Sequence, residues 1–118
     1  MAKYIDGFVL PVPRKKIAAY RRLARHASQI WFEHGALDYH ECVGDDLDVQ
    51  TGLPFPKGIQ AKAGDTVVFA YIVFRSRAHR DQVNARVMKD PRLAALCEPG
   101  NLPFDPARML YGGFKIMV

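Results

Sequence analysis

Cysteine is scarce in this chain. Cys42 and Cys97 are the only two, with no CxxC spacing, so there is no disulfide framework to read and a reducing compartment is the default. No apolar run approaches the roughly 18 residues needed to cross a bilayer, and no long repeat or low-complexity segment appears. His26, His34, His40 and His79 show no HxxxH or HxH spacing beside acidic residues, so no metal site is expected. His26 and His79 read as surface or half-buried helical residues. The expected first strand opens within four residues, leaving no room for a signal peptide ahead of it, and the expected location is cytoplasmic. One class of nucleic-acid module also lacks its mark. An RNA-recognition sheet needs a basic-glycine-aromatic strand with paired ring positions, and the most apolar run here has no basic residue within it.

What is present suits one soluble domain. Its 118 residues are 49% apolar and 25% charged, enough for a single core. The net charge of +5 permits a polyanionic partner, but the bases are dispersed apart from the segment Arg14–Arg25, which reads chiefly as a solvated helix face.

Tyr4–Leu10 reads as a strand that ends at Pro11-Val12-Pro13. From Lys15 to His34 the period changes: Ile17, Tyr20, Leu23, Ala24, Ala27, Ile30, Trp31 and His34 recur at helical spacing, and Gly35 stands where a left-handed cap would close the helix. Ala36–Val43 reads as a second strand. Gly44–Lys57 is a polar, proline-marked excursion, and Ala63-Gly64-Asp65 leads into the third strand. Val67–Phe74 is apolar at every position, as expected of a strand with both faces buried. Ser76 can cap a helix over 77–89, with Val83 and Val87 on its buried side. Asp90-Pro91 opens a short third helix, and a last strand follows Pro103–Arg108. The order strand, helix, hairpin, helix, strand predicts an α+β domain of ferredoxin-like βαββαβ topology with an antiparallel sheet. Helices cover one face of such a sheet, so the other face of the apolar third strand predicts a homodimer with sheets packed face to face. Gly7 and Gly112-Gly113 would lie on adjacent strands, admitting an aromatic ring or flooring a cavity.

Several stretches resemble the YbaA-like family of bacterial proteins. They include YIDGF at Tyr4–Phe8, Glu41-Cys42 with Gly44-Asp45-Asp46, Phe55-Pro56 and Val67-Val68-Phe69. Asn84-Ala85, Val87–Arg92, Pro103-Phe104-Asp105 and Arg108-Met109 before Tyr111–Phe114 complete the set. The resemblance implies a dimeric α/β barrel and brings no reaction with it. The wider superfamily includes cofactor-free monooxygenases, haem-degrading enzymes and lactone isomerases, and fold does not choose among them.

Candidate site residues follow from alternation. Asp38, His40 and Cys42 share one face of the second strand; Tyr39, Glu41 and Val43 share the other. Cys42 reads as a reactive thiol or as a small buried apolar residue. Asp45 and Asp46 could bind a divalent ion or act as bases, or could hydrogen-bond their own turn. Arg108 could clamp an anion, or pair with Asp105 or Asp6. Tyr4, Tyr71 and Tyr111 are placed on the same side as Asp6. The leading expectation is a small organic ligand bound between sheet and helices without a cofactor. If the protein is an enzyme, the chemistry is monooxygenase- or isomerase-like, with Asp6, His40 or Glu41 as base. The alternatives are a non-catalytic dimeric module that recognises a partner through the 45–57 loop and, more remotely, RNA binding.

Overall fold

A computed structural model describes residues 2–118. Four strands form one antiparallel sheet: β1 (Tyr4–Pro13), β2 (Asp38–Val43), β3 (Asp65–Phe74) and β4 (Leu110–Lys115), in the order β2-β3-β1-β4. α1 (Ile17–Glu33) and α3 (Arg77–Met88) follow β1 and β3. Short helices α2 (Phe55–Gly58) and α4 (Pro91–Leu96) sit in the connections. The predicted ferredoxin-like topology is the observed one.

Local signals set the helix ends. Gly35 adopts φ +115° after α1, and the Ala36 N–H closes the turn on the Trp31 carbonyl at 3.0 Å, a conformation glycine reaches without strain. The Ser76 hydroxyl accepts from the His79 N–H at 3.1 Å, and the Asp90 carboxylate accepts from the Arg92 N–H at 2.9 Å, each satisfying an orphan donor of a helix start. β1 differs from expectation, because it runs through both prolines, with Pro11 opposite Val67 and Pro13 opposite Asp65. The reason is positional. β4 pairs β1 only as far as Val9, so beyond it a proline can leave its missing donor on the vacant side.

The register sorts the two faces. Asp6, Leu10, Val12, Val68, Ala70, Ile72 and Phe74 lie towards the helices and are buried. One cluster packs Phe74, Ile72, Ile30, Val83 and Val87; a second packs Leu10, Val12, Val68, Tyr20 and Ala24. The opposite face carries Ile5, Gly7, Val9, Phe69, Tyr71, Leu110 and Phe114, and neither α1 nor α3 covers it. Phe69 is 46% exposed and Phe114 62%, so the apolar third strand has only one of its faces buried. The excursion after β2 folds onto one end of this open face. Pro11 and Val67 are buried there, and the Phe55 ring of α2 meets Phe69 edge-on at 6.5 Å between centroids.

Candidate functional site

Asp6 sits on the helix side of β1 and is 1% exposed. Its carboxylate accepts from Arg80 Nη1 at 2.6 Å, Asn84 Nδ2 at 3.0 Å and the Tyr111 hydroxyl at 3.2 Å. Arg80 and Asn84 are four apart on α3 and therefore reach the same spot on the sheet. Arg80 also donates to Asp81 at 2.7 Å and lies over the Tyr4 ring, 4.9 Å from its centroid. The Trp31 indole N–H donates to Asn84 Oδ1 at 3.0 Å, which extends the network to α1. Burial raises the Tyr111 phenol and the nearby Asp6 charge pushes it the same way. A buried carboxylate so fully paired is a structural centre. It also explains Gly113, the partner of Asp6 across β4. A Cβ there would stand 2.6 Å from the Tyr4 hydroxyl and 2.8 Å from Arg80 Nη1. Gly7 faces the other way, where a Cβ would meet the Phe114 ring at 3.3 Å.

Glu41 forms the second centre, on the helix side of β2. Its Oε1 accepts from the Tyr20 hydroxyl at 2.5 Å and its Oε2 from the Tyr39 hydroxyl at 2.7 Å. Burial holds both phenols far above their ordinary pKa, and the Glu41 charge adds to the effect. Among the described residues Glu41 has no cationic partner. It stands instead at the edge of a polar cleft of about 200 Å³ between α1 and β2, lined also by Arg21, Arg25, Ser28, Tyr39 and His40. Tyr20, Arg21 and Arg25 were hidden in the helical stripe and its solvated face. Their spacing identifies the helix but not which strand it meets.

The remaining candidates scatter. His40 lies on the open side of β2 with its Nε2 3.0 Å from Asp38 Oδ1, and Cys42 is exposed on the same side. Asp45 and Asp46 are exposed beyond the end of β2. No group of three or more His, Cys, Asp or Glu among the described residues is placed to hold a metal ion. Arg108 pairs with neither Asp105 nor Asp6. It donates to Asp65 Oδ2 at 3.3 Å and to the Gln60 carbonyl at 3.1 Å, because the 3₁₀ turn at Pro106–Arg108 points it at the entry to β3. Asp105 caps that turn, accepting from the Ala107 N–H at 3.0 Å. Tyr71 departs from expectation as well: it is opposite Gly7 and so lies on the open face, away from Asp6. His79 is buried, more deeply than the surface or half-buried position expected of it. Its Nδ1 accepts from the Arg75 N–H at 3.0 Å, and burial with the nearby arginine charges lowers its pKa.

On the open face Ile5, Gly7, Val9, Phe69, Tyr71 and Phe114 surround a shallow concavity of about 600 Å³. Phe55 of the 45–57 loop packs against Phe69 on the apolar face, and no residue of that loop lines the polar cleft. No helix among the described residues is long and apolar enough to cross a membrane.

A family described as "Protein of unknown function (DUF1428)" matches residues 3–106. The chain is 39% identical over 116 residues to the uncharacterized protein YbaA of Escherichia coli strain K12, covering 98% of this chain and 97% of that one. The YbaA of Shigella flexneri matches equally. Among solved structures, a NIPSNAP family protein of unknown function from Agrobacterium tumefaciens superposes with a TM-score of 0.61 at 15% identity. That match covers 98% of this chain and 88% of the other. A dimeric ferredoxin-like protein from an uncultured marine organism superposes with a TM-score of 0.58 at 11% identity, covering 100% and 98%.

Proposed function

Because this chain belongs to the DUF1428 family, described only as of unknown function, its role has to be argued from its own geometry, and we propose that it is a homodimeric binder of a small organic molecule. Two copies pack open sheet face to open sheet face, and each holds its ligand on the helix side, in the cleft between α1 and β2. The observation that carries this reading is the uncovered apolar face, with Phe69, Leu110 and Phe114 46%, 57% and 62% exposed. Four strands at about 4.8 Å spacing, with roughly 3.3 Å of rise per residue, give a face about 20 Å wide and 20–30 Å long. With side-chain relief and the flank from α2, that approaches the roughly 800 Å² per partner of a standard stable interface. A two-fold pairing also matches identical apolar patches to each other. The marine ferredoxin-like relative in fold is itself described as dimeric. Strand positions on this face carry no lysine or arginine, which favours a second copy over RNA as its occupant.

The ligand is placed in the polar cleft because Glu41, one of the candidate bases, lines it, whereas the His40 ring lies on the open side of β2 beside Asp38 and Tyr71. Asp6 and Arg108 are engaged in ion pairs with Arg80 and Asp65. A catalytic version of this reading would use Glu41 as the base. A second reading, partner recognition by the 45–57 loop, draws on Val49, Leu53 and Phe55, which are 40%, 67% and 49% exposed, with Phe55 beside Phe69 of the open face. Two free thiols support a reducing, cytoplasmic location in this reading. Native mass spectrometry of gently purified protein tests the proposal. A dimer carrying a small molecule supports it, a ligand-free dimer leaves only the assembly, and a monomer at micromolar concentration overturns it.

A further inference from the structure

The cleft between α1 and β2 has a charge pattern of its own. Arg21 and Arg25 are one helical turn apart, and like charges at that spacing repel. Neither has an ion-pair partner among the described residues, although seven such pairs form elsewhere. Glu41 faces them across the cleft. It accepts one phenolic hydrogen bond on each oxygen, which leaves lone pairs on both oxygens free. The cleft thus offers two guanidinium groups at one side and one carboxylate at the other, an excess of one positive charge.

We propose that this cleft binds a small acidic amino acid. The two ligand carboxylates meet Arg21 and Arg25, whose planar forks suit carboxylate geometry, and the ammonium meets Glu41. Such a ligand carries net charge −1 and complements the cleft. Its size also fits, since about 200 Å³ lies below the usual range of drug-sized sites. Rigid phenol donors hold Glu41 in place, so its carboxylate is oriented before the ligand arrives. The inference rests on the ligand site proposed above and names its chemistry.

The test is isothermal titration calorimetry of the full chain with L-glutamate and L-aspartate, with succinate and glycine as controls. The expected result is saturable heat with an acidic amino acid, at least tenfold weaker binding of both controls, and at least tenfold weakening in Arg21→Ala, Arg25→Ala and Glu41→Gln. The two arginines are exposed, so their variants keep the fold even if the Glu41 variant does not. Absence of saturable heat with both amino acids overturns the proposal, as does binding unchanged by the arginine substitutions. If native mass spectrometry meanwhile finds a different molecule on the dimer, the ligand class is overturned while the binding reading stands.

Discussion

A single carboxylate on β1 ties the sheet to α3. Asp6 is fully buried and meets Arg80, Asn84 and Tyr111. Removing one partner of a buried ion pair costs about 3–5 kcal/mol because the other charge is left without compensation. Asp6→Ala is therefore expected to lower unfolding stability by about that amount in urea titrations, and Asp6→Asn by less, since its amide oxygen still accepts from Arg80. Gly113 belongs to the same centre. Gly113→Ala is expected to cost about 1–3 kcal/mol, because its methyl would press on the Tyr4 ring and on an Arg80 held by two acids. Gly7→Ala meets only the exposed Phe114 ring and should cost less. Equal losses at the two glycines would contradict this assignment.

The tyrosines give the pH dependence. Tyr20, Tyr39 and Tyr111 are three of the five tyrosines, and burial raises the pKa of each. A group whose folded pKa exceeds its unfolded value lends stability that is intact below the unfolded value, about 10 for a phenol. That stability falls as pH rises above it, because the unfolded chain ionises while the folded one does not. Phenolate absorbance should show these three rings titrating late, and stability should decline above about pH 10. Ionisation of Tyr20, Tyr39 and Tyr111 near pH 10 in the folded protein would contradict it.

Among the elements, those set by local rules were legible in the sequence. The helical stripe from Ile17, the Gly35 stop and the Ser76 and Asp90 caps are written in neighbouring residues, and each formed as read. Ser76→Ala is expected to destabilise by about 1 kcal/mol, as measured by thermal or urea unfolding, by leaving the His79 N–H without its acceptor. The misread elements depend on what lies beside them. β1 tolerates Pro11 and Pro13 only because β4 is too short to reach them, which no local pattern states. Long-range pairing was hidden in the same way. Arg80 and Asn84 share a helix face, a signal available in the sequence, but their partner Asp6 is 74 and 78 residues away. Arg108 found Asp65, whose place opposite Pro13 follows from the register and not from spacing. The cleft was half legible: alternation put Glu41 on the face opposite His40, but which face the helices cover, and the α1 residues that meet Glu41, depend on how the helix docks.

Over the whole molecule, one asymmetry organises the rest. The helix side of the sheet is packed by two apolar clusters and pinned at Asp6 and Glu41, whereas the other side presents aromatic and aliphatic residues that only Phe55 of α2 meets at one end. Leaving Val9, Phe69, Leu110 and Phe114 hydrated costs about 25 cal/mol per Å² of apolar surface, and in the proposed dimer a second copy would supply the matching patch. The most direct measurement is the solution mass of the wild-type protein beside a Phe69→Asp variant, by light scattering at micromolar concentration. The account predicts a dimer for the wild type and a folded monomer for the variant, because a carboxylate at the centre of the face would be buried without a partner. A wild-type monomer, or a variant that remains dimeric, would contradict it.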